Sequence, residues 1–339
     1  MASALLATLL CGCSHDDGWI EQRRFAMGTW VDTIYQRPEG DIEARLQRDL
    51  DASLRQYEID YYAWADGELG RLNAALNAGE PREVSAELAA LLERARTLSL
   101  RSNGFFDPGV GAVVEAWGFH DSRSEPHEPS AAFLEGWAAD PARIAALQID
   151  GNTVSSQDPR LVIDLGGIAK GFVVDRLLER FAAAGVRDVL IDAGGDVRVL
   201  GSRGIRRWSI GIQSPRDATG MIGSIELDDG EAVFTSGDYE RFFETDDERR
   251  HHLLDPATGL PAAHTQAVTV IARDGALADA AATAIFVAGP QRWQQIARSL
   301  EIRYVLRVDA DGTIGMTPAM RERVRMQADL ETATMREQP

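Results

Sequence analysis

The sequence predicts an α+β fold with two lobes around a cleft. Two long stretches early in the chain carry apolar residues at helical spacing, and the second half is rich in short β-branched segments. Between them, Leu161-Val-Ile163 ends in Asp164. Leu-Gly-Gly-Ile-Ala-Lys170-Gly follows, then Phe172, Val173, Leu177, Leu178 and Phe181 at helical spacing. That junction reads as a strand, a glycine turn and a helix start. The first turn of a helix leaves N–H groups unpaired and its dipole favours negative charge, so the junction is a candidate anion site. Lys170 adds a positive charge there. The order matches neither a Walker A loop nor Gly-x-Gly-x-x-Gly. Taken alone, its plain reading is a tight connection with a surface lysine.

The other elements follow in chain order. Residues 25–35 alternate and are β-branched enough for one strand, with Met27-Gly-Thr29 inside it. Residues 41–57 put Ile42, Leu46, Leu50 and Leu54 on one helical face. Tyr61-Tyr-Ala-Trp64-Ala-Asp-Gly-Glu-Leu69 reads as an aromatic loop. Residues 84–100 form a second amphipathic helix, with Ser85 as N-cap and Glu87 in its first turn. Asn103-Gly104 is its stop signal. Residues 120–141 are rich in charge and proline and read as a surface excursion. Strands are expected at 189–191, 197–200, 208–212, 223–227 and 232–235, with Ala193-Gly-Gly-Asp196 a turn between the first two. A strand at 268–272 leads into an alanine-rich helix from about Ala276. Residues 302–308 form a last strand. There is no internal repeat.

Composition bounds the function. The 339 residues are 45% hydrophobic and 26% charged, ordinary for a globular chain. Lys+Arg 35 against Asp+Glu 53 gives a net charge of −18. That argues against nucleic acid, which needs a basic surface to displace counterions, and against a basic membrane patch. An acidic body that binds an anion must concentrate positive charge locally or recruit a metal cation. Both cysteines, Cys11 and Cys13, lie near the start, so the body has neither a disulfide framework nor a thiolate metal site.

Ala4-Leu-Leu-Ala-Thr-Leu-Leu-Cys-Gly-Cys13 is short, apolar and rich in small residues, and Leu10-Cys-Gly-Cys13 resembles a bacterial lipoprotein signal. It carries no Lys or Arg before its apolar run, as such signals usually do. The organisation expected is a signal segment at 1–13, a polar tether at 14–24, one domain at 25–315 and a charged, frayed tail at 316–339. The anchor implies a periplasm-facing protein on a bacterial inner membrane.

Several motifs have bland readings one by one. Asp279 and Thr283 lie four apart on the alanine-rich helix and share a face. An Asp among alanines is expensive to bury unless something pairs it, and a hard cation such as Mg²⁺ accepts carboxylate, hydroxyl and carbonyl oxygens. The plain alternative is an Asp placed for the helix dipole, with Asp274 as N-cap. His252, in His252-Leu253-Leu-Asp255-Pro-Ala-Thr-Gly259, reads as a strand-end histidine before a turn. His251 beside it would face the other way. Trp64 and Tyr62 suit core packing. Asn103-Gly-Phe105-Phe106-Asp107-Pro-Gly-Val-Gly111 reads as a turn.

Together and in this order, with Met27-Gly-Thr29 ahead of them, these segments resemble the FAD:protein FMN transferases, the ApbE-like flavin transferases. The resemblance covers about Phe25 to about Gly315. It implies the two-lobed flavin-transferase fold, with mixed or antiparallel sheets flanked by helices and FAD in the cleft. It implies Mg²⁺ on Asp279, Thr283 and a backbone carbonyl of the glycine turn, Gly167 or a near neighbour. Met27, Thr29, Phe105, Phe106, Asp107, Asp164, Lys170 and Leu253 are implied to contact FAD, with Trp64 or Tyr62 stacking on the isoalloxazine. The family's Ser is Gly67 here. Thr235-Ser-Gly-Asp-Tyr239 is expected to line the same cleft. His252 and Lys170 are the candidate catalytic residues, His252 as proton acceptor.

The activity implied is Mg²⁺-dependent transfer of FMN from FAD to a Ser or Thr hydroxyl of an acceptor protein, releasing AMP. The family's acceptors are typically flavin-carrying subunits of membrane redox complexes. Two rivals share the site: an FAD pyrophosphatase, with water replacing the hydroxyl, and a flavin-binding lipoprotein without turnover. Asp279, Thr283, Lys170 and His252 together argue against the last, because binding alone has no evident need for the set.

Overall fold

In the computed structural model, which describes residues 18–120, 127–245 and 248–327, one eight-stranded sheet separates two apolar layers. The chain opens with β1 (Trp19–Ala26) and β2 (Thr29–Gln36), then α1 (Ile42–Asp60), α2 (Glu68–Asn77), β3 (Arg82–Glu83) and α3 (Ala86–Arg101). Short helices α4 (Gly111–Ala116) and α5 (Ala131–Ala139) precede the hairpin β4 (Leu147–Asp150) and β5 (Thr153–Ser156). Then come α6 (Ala169–Ala183), β6 (Val189–Ala193), β7 (Asp196–Leu200), β8 (Trp208–Ser214), β9 (Asp217–Leu227) and β10 (Ala232–Gly237). The chain continues with β11 (Phe242–Glu244), β12 (Arg249–His251), β13 (Thr265–Ala272), α7 (Gly275–Ser299) and β14 (Tyr304–Asp309). It closes with β15 (Ile314–Met316), α8 (Pro318–Arg323) and β16 (Val324–Met326).

The large sheet runs β1-β2-β6-β7-β10-β13-β14-β15, and its ladders are antiparallel. The sequence periodicity explains its two faces. Ala232, Phe234, Val268 and Val270 point into the core shared with α6 and α7. The alternate residues Val233, Ala267 and Ile271 join Trp208, Ile225 and Leu227 from the small sheet β16-β9-β8. This is the α+β class the sequence predicts.

Several local expectations change. Residues 25–35 are a hairpin rather than one strand. Met27 (φ 54°) and Gly28 (φ 72°) form its two-residue turn, and both left-handed positions match the twist of the flanking strands. The tether expected at 14–24 gives up Trp19 to Arg24 to β1, where the Trp19 ring packs 5.5 Å from Trp208. Residues 1–17, with Cys11 and Cys13, lie outside the described residues. The aromatic loop is shorter than expected because α2 starts at Glu68. A Cβ on Gly67 would sit 1.8 Å from the Ile59 carbonyl oxygen, so only glycine fits there. Residues 120–141 contain α5, held by the Trp137 indole N–H donating to the Pro256 carbonyl (3.0 Å). The tail expected at 316–339 begins with ordered elements instead: Met320 of α8 is fully buried and Arg323 pairs with Glu231.

The apolar segment before Asp164 is extended and buried but joins no sheet, touching Val110 through a single bridge. Its backbone is satisfied by a loop and by a side chain: the Gly111 N–H donates to the Val162 carbonyl (3.0 Å) and the Asp164 N–H to the Pro108 carbonyl (2.8 Å). Asn73 donates to the Ile163 carbonyl and accepts from the Ile163 N–H, both at 2.9 Å. The segment is therefore extended as expected, but its partners are the 108–111 loop and an amide rather than a strand.

Helices α6 and α7 meet at their N-termini. A Cβ on Gly171 would lie 2.2 Å from the Gly275 carbonyl oxygen, a backbone atom that cannot step aside. Replacing Gly by Ala in a helix normally gains up to about 1 kcal/mol. At Gly171 overpacking should win and cost about 1–3 kcal/mol net. Gly136→Ala in α5, where a Cβ meets nothing, should stabilise slightly. Chemical denaturation of the two variants tests this opposite sign.

Candidate active site

The α6–α7 contact builds the first half of the site. Asp175 on α6 accepts from the Gly275 N–H (2.9 Å) and the Ala276 N–H (3.2 Å) at the start of α7. Asp279 on α7 accepts from the Gly171 N–H (3.0 Å) at the start of α6. Each helix therefore places a carboxylate, four residues after its contact glycine, on the other's unpaired N–H groups. Asp274 caps α7 as expected, accepting from Leu277 N–H (2.8 Å). The helix N-terminus expected to hold an anion is thus met by Asp279 itself. Burial pushes the Asp279 carboxyl up to about 7, against the pull of Lys170.

One turn along α7, the Thr283 hydroxyl lies 3.3 Å from Ser236 Oγ, and a Cβ on Gly167 would approach it to 3.3 Å. A buried carboxylate, hydroxyls and the glycine-turn backbone form an all-oxygen donor set. That set suits Mg²⁺, which needs one or two carboxylates and completes its shell with water and phosphate oxygens. Among the described residues there is no cluster of three or more His, Cys, Asp or Glu that would hold a metal alone.

Gly167 and Thr283 share a cavity with Phe105, Phe106, Asp107, Asp164, His252 and Leu253. Most of the expected site is therefore brought together. Within it, Asp107 is anchored: it accepts from Gly109 N–H (2.8 Å), Ile144 N–H (2.9 Å) and Ser99 Oγ–H (3.0 Å). Its carboxylate holds the 103–109 loop in place. Asp164 accepts from the Gly166 N–H (3.0 Å), and burial raises its carboxyl.

His252 meets one carbonyl twice. Its N–H donates to the Arg241 carbonyl (3.1 Å), and its Nδ1 lies 3.3 Å from the same oxygen. A carbonyl only accepts, so Nδ1 carries the proton and Nε2 is left as the basic nitrogen. Burial, then the Arg241 guanidinium and His251, pushes the imidazole pKa down to about 3, so His252 is neutral well below pH 6. His251 uses both nitrogens, Nε2 toward the Ala262 carbonyl (3.1 Å) and Nδ1 accepting from Leu253 N–H (3.3 Å). The two histidines are not interchangeable, as their alternation predicts.

The remaining expected residues are not among those that line this cavity. Lys170 pairs with Asp196. Burial alone would lower its pKa, but Asp196, Glu240 and Asp279 outweigh that and keep it charged. Met27 and Thr29 flank the hairpin tip; a Cβ on Gly28 would lie 3.2 Å from the Arg241 guanidinium, and Thr29 packs on Gly194. Trp64 packs against Tyr62 (5.5 Å) and His120 (5.3 Å), and its buried indole N–H finds no acceptor among the described residues.

Asp196, Glu240 and Arg241 carry no sequence motif that marks them as site residues. Asp196, read as part of a turn, is buried, and it accepts from the Thr235 N–H (2.9 Å) while pairing with Lys170. Only the Thr235–Tyr239 segment beside Glu240 gave a signal.

The His252 pKa gives a test. Unfolding restores the ordinary value of 6.5. As pH falls from there towards 3, the unfolded chain takes up a proton that folded His252 refuses, so stability drops. His252→Asn removes that uptake. The melting temperature of the variant should gain on wild type as pH falls from 7 to 5, and a difference independent of pH would contradict the assignment.

The comparisons with known proteins agree with this geometry. The model of the ApbE family matches residues 27–306. A Rhodobacter capsulatus protein named FAD:protein FMN transferase is 44% identical over 275 residues, 81% of this chain and 52% of the longer relative. A Vibrio cholerae protein of the same name is 30% identical over 307 residues, covering 89% and 91% of the two chains. The crystal structure of the ApbE protein of Thermotoga maritima superposes with a TM-score of 0.83 at 31% identity, covering 91% of this chain and 99% of its own. The apo flavinyl transferase ApbE of Pseudomonas stutzeri gives a TM-score of 0.78 at 30% identity, covering 90% and 96%. With the family model matched over residues 27–306, relatives at 30% identity or more and a matched fold, the chain belongs to the ApbE family.

Proposed function

We propose that this protein is an FAD:protein FMN transferase: it takes FAD, transfers the FMN moiety to a Ser or Thr hydroxyl of an acceptor protein, and releases AMP. The observation that carries the reading is the shared cavity of His252, Gly167 and Thr283, with Asp279 one turn from Thr283. The acceptor oxygen attacks the phosphorus on the FMN side, the P–O bond to the bridging oxygen breaks, FMN keeps its phosphate as an ester of the acceptor, and AMP leaves with the bridging oxygen. The acceptor proton goes to His252 Nε2, which is unprotonated at neutral pH. Phe105, Phe106 and Leu253 supply the apolar wall for the flavin, with Trp64 as a stacking candidate. Asp279, Thr283 and the Gly167 carbonyl are the residues that would hold Mg²⁺, which supplies charge neutralisation at phosphate oxygens.

FAD hydrolysis to FMN and AMP is the alternative outcome of the same site. Incubation with FAD, Mg²⁺ and a flavin-carrying redox subunit should give covalent flavin on the acceptor; free FMN plus AMP would make the protein a hydrolase, and unchanged FAD a binding protein. Asp279→Ala should abolish transfer and lower the melting temperature, because it also uncaps the Gly171 N–H; Asp279→Asn, whose amide oxygen can still accept that N–H, should abolish transfer with a smaller loss of stability. His252→Ala should bind FAD nearly normally and transfer it more slowly by on the order of 10² to 10⁴. A His252→Ala protein that loses FAD affinity but transfers normally at saturating FAD would make His252 a binding residue.

We also propose that Cys13 is lipidated and holds the enzyme at the periplasmic face of the inner membrane, near membrane redox complexes. The motif Leu10-Cys-Gly-Cys13 supports this. One acyl chain anchors only marginally, so stable attachment needs more than one. Cys13→Ser should release active enzyme into the soluble fraction; a variant that stays in the membrane would place the attachment elsewhere.

A further inference from the structure

We propose that Arg241, rather than Lys170, is the cation that binds the pyrophosphate of FAD. The inference rests on the FAD reading above. Four carboxylates, Asp164, Asp196, Glu240 and Asp279, stand around the cleft with two cations, Lys170 and Arg241. A pyrophosphate diester adds two more negative charges. A cation that serves it must have charge to spare.

Lys170 has little to spare. Its ammonium is paired with buried Asp196, and Glu240 and Asp279 also face it. Drawing Lys170 onto a phosphate would leave Asp196 buried without a counter-charge. The guanidinium of Arg241 forms no salt bridge or hydrogen bond with a carboxylate among the described residues, and Asp164 and Glu240 act on it only at longer range. It is exposed, and it lies against the β1–β2 hairpin tip, 3.2 Å from where a Gly28 Cβ would be. Gly28 is left-handed (φ 72°), so the tip is kept free of a side chain where the guanidinium approaches.

The main chain of Arg241 ties the same residue to the chemistry. Its carbonyl receives the His252 N–H and Nδ1. Its charge also reaches both sides of the cavity, lowering the pKa of His252 and opposing the rise at Asp164. A planar guanidinium offers paired donors that match phosphate oxygens. Arg241 therefore stands between the hairpin tip and the catalytic imidazole with its donors unused.

The test is flavin-fluorescence titration of the full-length protein with FAD and with riboflavin, which lacks both phosphates, in the absence of acceptor. Arg241→Gln should weaken FAD binding by about 10- to 100-fold. Riboflavin affinity should stay within about twofold, and Arg241→Lys should recover part of the loss. The melting temperature of Arg241→Gln should equal that of wild type, because the side chain makes no ion pair. Lys170→Ala should lower the melting temperature by leaving Asp196 unpaired. Equal losses for FAD and riboflavin would overturn the proposal, making Arg241 a support for the pocket wall. So would unchanged FAD affinity. Wild-type protein that binds neither flavin would overturn the FAD reading itself, an outcome distinct from both.

Discussion

The structure depends on two helix N-termini packed against each other. Unpaired N–H groups at a helix start carry partial positive charge, and two such ends in contact would repel unless each met a carboxylate. Asp175 and Asp279 supply one each, from the opposite helix. Gly171 and Gly275 let the backbones approach closely enough for this exchange. The arrangement fixes Asp279 from two sides, by its own helix and by α6. It thereby sets Thr283 one turn on and draws the glycine turn before α6 alongside it.

That constraint also explains the electrostatics of the cleft. Asp279 is buried and close to Asp196 and Glu240, with Lys170 as the shared counter-charge. The site is thus rich in acidic groups although its substrate is read as an anion. Phosphate chemistry in such a place relies on cations whose charge is not already committed. His252 lies at the other edge, held neutral by burial and by the neighbouring arginine. A neutral imidazole with its Nδ1–H tied to a carbonyl keeps Nε2 free to accept a proton.

Much of this was legible along the chain because it is local. Helical spacing located α1, α3 and α6, and Ser85 and Asp274 were identifiable as caps, since each bonds within its own first turn. The alternation of His251 and His252 separated a structural from a cleft-facing histidine. The strand expected before Asp164 failed for a reason no local pattern carries. Its hydrogen-bond partners are the Asn73 amide, ninety residues away, and the backbone of the 108–111 loop. The hairpin at Met27 was missed because a methionine in a left-handed position breaks the usual turn signature. The ordered end at Met320 and Arg323 depends on contacts with β14 and Glu231.

The sequence by itself determined the fold class, the family pattern and the residue types of the site: a carboxylate and a hydroxyl four apart, a glycine turn, a histidine before a turn. Each is written in spacing, which the chain preserves whatever its tertiary path. Only the tertiary structure decided which charges are free. Lys170 looks like the available cation in one dimension, and in three it is already paired with Asp196. Arg241 looks like an ordinary surface arginine and stands beside the His252 imidazole without a salt bridge among the described residues. Coulomb pairing acts through space between residues distant in sequence, so a one-dimensional pattern names the ionisable groups but not their partners.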